Sequence, residues 1–206
     1  MITVKVPENV TTGKISIHLN GCTTISSQDF VVLPGKWIRK SDLPVSSGRA
    51  LGLGFSIASK GYFFGGSTNG EELKDLYEYD PLTDQWTKKA DCGIDFEGGV
   101  RMVINGKVYV GLGQSRSLRS LTNQLWEYDP TSNQWTRKAD FPGTLGLSLC
   151  GGIGLGNKGY VGGAFTQAGV FRDWWEYDPA NNSWTRKSRP TPRSDLGMVN
   201  LFQHEQ

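Results

Sequence analysis

The chain has 206 residues, with 22 Lys and Arg against 20 Asp and Glu, a net charge of +2 at pH 7 and 20% charged residues. That balance excludes a disordered polyelectrolyte and a strongly basic nucleic-acid binder. The longest apolar runs, such as Phe30-Val31-Val32-Leu33, fall far short of the roughly 20 residues needed to span a bilayer as a helix. Twenty-seven glycines, 7 tryptophans and 11% aromatic residues favour an all-β protein of short strands and tight turns packed around large flat side chains.

No basic segment followed by an apolar core opens the chain, and Met1-Ile2-Thr3-Val4-Lys5-Val6 alternates as a strand does. The first 33 residues carry further strand-like runs at Thr11 to Ile17 and Ser26 to Leu33, with Asn20-Gly21 suited to a type I′ hairpin turn. These residues resemble the second half of an IPT/TIG domain, an immunoglobulin-like sandwich. The resemblance implies a domain over 1–33, and a bacterial surface protein of the Bacteroidetes type. It is the ground for expecting an extracytoplasmic or cell-surface location. Cys22, Cys92 and Cys150 are too few and too scattered for a disulfide framework, and their number is odd.

From residue 34 onward one period dominates. Trp37, Trp86, Trp135 and Trp184 are separated by 49 residues each time (86−37, 135−86, 184−135). Around the last three the text repeats as YEYDPLTDQWTKKAD, WEYDPTSNQWTRKAD and WEYDPANNSWTRKSR, while Lys36 to Asp42 preserves only the tail. The first full unit decodes into four strands: Leu51 to Ser59, Gly61 to Gly65, Leu76 to Asp80 and Gln85 to Ala90. Between the third and fourth, Asp80-Pro81-Leu82-Thr83-Asp84 is turn chemistry: Pro presets φ, the first Asp can accept from amides ahead of it, and Asp84, like Asn133 and Asn182, suits a left-handed position. A four-stranded sheet cannot bury both faces alone, so successive units must stack as propeller blades do.

The repeated residues resemble the kelch repeat, in which a di-glycine follows an apolar strand, then come a Tyr-bearing strand and a Trp. Here they are Gly65, Gly66, Tyr79 and Trp86, then Tyr128 and Trp135, then Gly162, Gly163, Tyr177 and Trp184. In the middle unit Gly111-Leu112-Gly113 replaces the adjacent pair, so its second-strand exit is expected to be rearranged. The resemblance implies a partial propeller over 34–206, with units near 49–91, 98–140 and 145–189. Three units fall below the four to eight blades that close a propeller. The expectation is a piece of a longer protein, lacking about three blades if the ring has six, with Trp37 on a closing strand and another first strand near Arg193 to Phe202.

Four elements invite functional readings. The basic pairs Arg39-Lys40, Lys88-Lys89, Arg137-Lys138 and Arg186-Lys187 suit a polyanion, but outer edge strands carry such charges to prevent aggregation, and Glu78, Glu127 and Glu176 stand ready on the adjacent strand. Gly154-Leu155-Gly156-Asn157-Lys158-Gly159 matches a dinucleotide fingerprint without the helix it needs, and reads instead as a first strand crowded against its neighbour. With only His18 and His204 in the chain, neither a zinc constellation nor a Ser-His-Asp triad assembles, and no cofactor is expected. Trp126 and Trp175 share the repeat position of Tyr77 and read as inter-blade packing, whereas Trp174 faces the other side of its strand.

Strand parity puts the loops between second and third strands on one rim, and these vary between units: Ser67 to Lys74, Gln114 to Thr122 and Ala164 to Arg172. Variable loops on a rigid scaffold are where binding is usually placed. They offer Asn69, Glu71, Arg116, Arg119, Phe171 and Arg172 as candidate ligand contacts, the two arginines 116 and 119 suiting a carboxylate or an acidic sugar. The expectation is a non-catalytic module recognising a glycan or a protein. The alternative implied by the kelch resemblance is an enzyme of the galactose-oxidase or sialate-epimerase kind, for which Glu97, Arg49 and Arg193 are the nominees.

Overall fold

The computed structural model describes residues 13–14, 16–19, 21–28, 37–45, 47–143, 151–166 and 169–187. The chain divides into two compact units, Met1–Lys40 and Ser41–Gln206. In the first, β1 (Ser16–Leu19) and β2 (Cys22–Ile25) form an antiparallel hairpin with Leu19 opposite Cys22, and Gly21 at the turn has φ +79°. The Thr23 hydroxyl and His18 Nδ1 lie 2.7 Å apart across it.

The second unit consists of three antiparallel four-stranded sheets in an open, propeller-like arrangement. Blade 1 holds β3 (Leu53–Ile57), β4 (Lys60–Phe64), β7 (Leu76–Asp80) and β8 (Gln85–Lys88), in that spatial order. Between β4 and β7 a small hairpin of β5 (Ser67–Thr68) and β6 (Glu71–Glu72) projects at the rim. Blade 2 repeats the plan with β9 (Val100–Ile104), β10 (Lys107–Gly111), β13 (Leu125–Asp129) and β14 (Gln134–Arg137), and its rim hairpin is β11 (Gln114–Ser115) with β12 (Ser120–Leu121). Blade 3 is β15 (Gly151–Leu155), β16 (Lys158–Thr166), β17 (Gly169–Asp178) and β18 (Ser183–Lys187). There is no helix among the described residues, and so none long and apolar enough to cross a membrane.

The repeated text builds one tether three times. Asp84, Asn133 and Asn182 take φ values of 57°, 54° and 49°, the left-handed turn position their residue types favour. Each side-chain oxygen accepts from the tyrosine hydroxyl five residues back, at 2.5 Å from Tyr79, 2.9 Å from Tyr128 and 2.8 Å from Tyr177. The same oxygen accepts a backbone N–H from the segment that precedes the blade: Ser41 at 3.0 Å, Ala90 at 3.0 Å and Ala139 at 2.8 Å. The carbonyls of those three residues in turn accept Trp86, Trp135 and Trp184 Nε1–H at 3.0, 2.8 and 3.0 Å. A Tyr, a turn Asp or Asn and a Trp therefore stitch each blade to the strand connection before it, which is the physical content of the 49-residue period. Asn133→Ala is expected to destabilise by about 2 kcal/mol, because the Tyr128 hydroxyl and the Ala90 amide lose one shared acceptor and Ala resists positive φ. Asn133→Asp should fall within about 1 kcal/mol of wild type, since Asp84 already fills that role; urea titration of both variants checks the pair.

Charges follow the same period. Asp80, Asp129 and Asp178 accept the amide two residues ahead at 2.9, 2.9 and 3.0 Å. They also pair with Lys60, Lys107 and Lys158 at 2.5, 2.9 and 2.5 Å. Lys89, Lys138 and Lys187 reach Glu78, Glu127 and Glu176 at 3.4, 3.3 and 2.9 Å, while Lys88, Arg137 and Arg186 pair with Asp91, Asp140 and Asp173. In the three blades the basic edge is thus paired with carboxylates of the same repeat. Burial alone would raise the Glu127 carboxyl, but Tyr109, Lys107 and Lys138 hydrogen-bonded to it hold it below its ordinary range.

Two cores lie between the blades. The first joins Leu53, Tyr62, Phe64 and Leu76 of blade 1 to Val108, Val110 and Tyr128 of blade 2 through the connector residues Cys92, Ile94 and Phe96. The second joins Met102, Tyr109 and Leu125 to Val161 and Tyr177 through Phe141, with Trp175 and Trp184 packed against it. Trp126 packs on the first core as Trp175 does on the second. Burial pushes the Cys92 thiol, 2% exposed, up to about 12, so it stays an inert part of the packing. Of the fingerprint-like glycines two are packing glycines: a Cβ on Gly154 would lie 1.8 Å from the Val103 carbonyl oxygen of β9, and one on Gly159 would lie 2.5 Å from Met102 Sδ. Gly156, at φ +58° with open space around it, is instead a turn residue after β15 and not part of the first strand. Gly152, before the run, would also crowd β9, at 2.9 Å from Val100 Cβ. Gly152 and Gly154 let β15 approach β9, as a first strand does near a propeller axis.

The exit from the second strand differs from the expectation. Leu112, at φ +62° and 0% exposed, takes in blade 2 the left-handed place that Gly65, at φ +59°, takes in blade 1. Burial against Leu125 and its neighbours in the second core holds Leu112 there, so the middle unit keeps its exit. Blade 3, with its intact Gly162-Gly163, is the one that departs: its register shifts between Gly162 and Ala164, and β16 and β17 run on as paired strands past that point. The bulge lets the chain continue where the other blades turn.

Candidate functional site

The rim segments that sequence parity grouped together are ordered hairpins in blades 1 and 2. Gly65 and Gly66, at φ +59° and +88°, turn the chain out of β4, and Ser67 then exchanges both backbone hydrogen bonds with Ala50 at 2.8 and 2.9 Å. Glu97 and Gln114 make the same exchange in blade 2, at 3.0 Å each. Asn69 and Gly70, at φ +49° and +77°, close the β5–β6 hairpin as a type I′ turn. These two hairpins and the connector between blades 1 and 2 enclose an open cleft of about 530 Å³ lined by Asn69, Glu71, Glu72, Asp95, Arg116 and Ser117.

Asp95, on the connector, anchors the β11–β12 hairpin. Its Oδ2 accepts the Arg116 and Ser117 amides, each at 3.2 Å, and its Oδ1 accepts the Ser117 hydroxyl. Glu72 reaches across from blade 1 to accept the same Arg116 amide that Asp95 accepts, which brings the two carboxyls together. Partial burial and the neighbouring charges of Asp95 and Glu97 raise Glu72, against the Arg116 amide, which lowers it. Asp95 is also partly desolvated, which works upward, yet the Ser117 hydroxyl and amide bring it below its ordinary range. The environment thus pushes the two neighbouring carboxyls apart, Glu72 upward and Asp95 downward. The Arg116 guanidinium crosses the tip of the β5–β6 hairpin, with one nitrogen 3.5 Å from where a Gly70 Cβ would sit. It makes no ion pair among the described residues. The cleft can therefore offer the Arg116 guanidinium, carboxyl oxygens and the Asn69 amide to one ligand.

Of the six rim residues named from sequence, Asn69, Glu71 and Arg116 line this cleft. Arg119 does not; it is exposed at φ +52°, its amide donating to the Arg116 carbonyl at 3.0 Å to close the turn. Phe171, registered opposite Ala164, and Arg172 belong to β17 in blade 3. Glu72, Asp95 and Ser117 also line the cleft; Glu72 and Ser117 fall inside the variable segments, and Asp95 sits in a connector whose period marks it only as inter-blade.

Of the alternative nominees, Arg49 and Glu97 are among the described residues. Arg49 is committed to Asp75 by a two-pronged pair at 2.7 and 3.1 Å, lies 5.9 Å from the centres of the Phe63 and Tyr77 rings, and its side chain is 7% exposed. It fills a packing role. Glu97 is engaged through its backbone in the pairing with Gln114, and Arg193 lies outside the described residues.

Comparison with known proteins bears on this architecture. Residues 62–93, which run from β4 through the di-glycine, the Tyr strand and Trp86 into the connector, match the Kelch motif family model. No curated protein sequence matches the chain. Among solved structures the chain is similar to one titled "Structure of YjhT", with a TM-score of 0.60 and 18% identity, over 88% of this chain and 66% of that one. The chain thus spans less than two thirds of that protein's length, and at this identity the likeness concerns the fold. The second unit carries a kelch motif and has the fold of part of a kelch-type propeller.

Proposed function

We propose that the chain is a non-catalytic binding module that takes a glycan or a protein ligand at the rim cleft between blades 1 and 2. The observation that carries the reading is the placement of the Arg116 guanidinium, without an ion pair among the described residues, beside the Glu72–Asp95 pair and Asn69 in one cleft of about 530 Å³. A planar guanidinium suits bidentate recognition of a carboxylate, and a mixed set of acceptors beside it suits sugar hydroxyls. A uronic-acid-containing saccharide satisfies both. The resemblance of residues 1–33 to an IPT/TIG module supports display on a bacterial surface, where such a ligand is encountered.

The experiment is a titration of acidic and neutral oligosaccharides against wild type, the double variant Arg116→Ala/Arg119→Ala and the control Lys88→Ala/Lys89→Ala on the blade edge. Acidic saccharides should lose at least tenfold in affinity in the rim variant and be unchanged in the edge control. Equal losses in both would indicate general electrostatics, and no loss in the rim variant would remove the reading.

A further inference from the structure

The rim hairpins of blades 1 and 2 meet at one backbone N–H. The Arg116 amide, which follows β11, donates both to Glu72 of the β5–β6 hairpin and to Asp95 of the connector. The two carboxyls are unequally supplied. Asp95 also accepts the Ser117 amide at 3.2 Å and the Ser117 hydroxyl, donors that favour its charged form. Glu72 has only its share of the Arg116 amide among the described residues. The charged groups around it are Asp95 and Glu97 on the connector, Glu71 on its own hairpin and the Arg116 side chain on the facing one.

One amide hydrogen serves two carboxylates poorly. A neutral Glu72 resolves the conflict, because one of its oxygens accepts the Arg116 amide while its hydroxyl donates to Asp95. An ionised Glu72 instead puts two negative groups on one hydrogen, with Glu97 nearby as a third. Repulsion then displaces the less tethered partner, which is Glu72.

We infer that Glu72 is a proton-operated latch at the rim cleft, joining the two hairpins when it is protonated and releasing the β5–β6 hairpin when it is ionised. Partial burial and the neighbouring carboxylates raise Glu72 in the closed arrangement, so closure takes up a proton. The latch is therefore shut below the raised Glu72 value and opens as pH rises through it. Asp95, moved downward, remains the charged acceptor on both sides of that transition. The consequence for a ligand rests on the reading of the cleft given above: an ionised Glu72 places a further negative charge beside the Arg116 guanidinium, so an acidic saccharide binds more tightly as pH falls.

The test is NMR of the ligand-free 206-residue chain across roughly pH 4 to 8. The Glu72 carboxyl carbon and the Arg116 amide should titrate together, with a midpoint above the ordinary glutamate value, and through-space contacts between Glu72 and Arg116 protons should fade over the same range. Glu72→Gln offers the same one acceptor and adds a donor toward Asp95 at every pH, so it should keep the contacts throughout and remove the Arg116 transition at that midpoint. Glu72→Ala should abolish the transition while leaving the core resonances of Phe64 and Tyr128 in place, which separates loss of the latch from loss of the fold. A Glu72 midpoint at or below the ordinary value, an Arg116 amide that does not follow it, or a Gln variant that opens as wild type does would overturn the inference. Acidic-saccharide affinity, measured separately, should gain up to about tenfold per pH unit by which closure raises Glu72, and this gain should vanish in Glu72→Gln. An intact Arg116 transition without saccharide binding would remove the ligand reading and support the latch, whereas saccharide binding without the transition would do the reverse.

Discussion

Phe64→Ala is expected to lower stability by about 3–5 kcal/mol, enough to shift the melting temperature by on the order of 10 °C. Phe64 is 0% exposed at the centre of the first core. Its ring lies 5.1 Å from Phe96 on the connector and 5.2 Å from Trp135 on blade 2, centre to centre, in tilted geometry. One side chain thus touches all three parts of the blade 1–blade 2 interface. The cavity left by Ala has a connector on one side and two stacked sheets on the others, so it cannot collapse without separating the blades. Phe64→Leu should cost about 1–2 kcal/mol, as most of the volume is kept and only the ring contacts go. Leu82→Ala, at a 90% exposed turn position, should be neutral. Denaturant unfolding at fixed concentration measures all three. A Phe64→Ala cost under about 1 kcal/mol would mean that burial at this interface is not what holds the blades together.

Gly154→Ala is expected to destabilise by about 3 kcal/mol despite adding a single methyl group. The added Cβ would lie 1.8 Å from Val103 O and 2.7 Å from Val103 C. Both are backbone atoms of the neighbouring first strand, so relief requires β15 to withdraw from β9 and to open the second core. Gly151→Ala, on the same strand but pointing away, meets only Gly162 O at 3.6 Å. It should be neutral or stabilising by up to about 1 kcal/mol, because Ala has less backbone freedom to lose on folding. Comparing the two melting temperatures isolates the close approach of the strands from any general effect of removing glycine. Equal effects would mean that these glycines are not there to let strands converge, and would reopen other readings of the Gly154 to Gly159 run.

The sequence by itself determined the blades. A constant spacing of tryptophans, alternation in the flanking runs and turn residues at fixed offsets are local signals. They placed β7 at Leu76–Asp80 and set Asp84, Asn133 and Asn182 in left-handed turns. They also indicated the pairing of edge lysines with Glu78, Glu127 and Glu176, because cross-strand neighbours follow from register. What each repeat position does in three dimensions was decided by tertiary structure. Phe64, Gly111 and Gly162 share one register position, yet the first is the hub of a core and the last makes room for the ring of Trp174. Leu112 holds a left-handed backbone that its residue type disfavours because the second core encloses it. The rim was legible as a region, since parity sends variable segments to one end. The union of Glu72, Asp95 and Arg116 in one cleft was not, because it depends on how far adjacent hairpins lean together, and that is set by packing between blades and leaves no periodic trace in the chain.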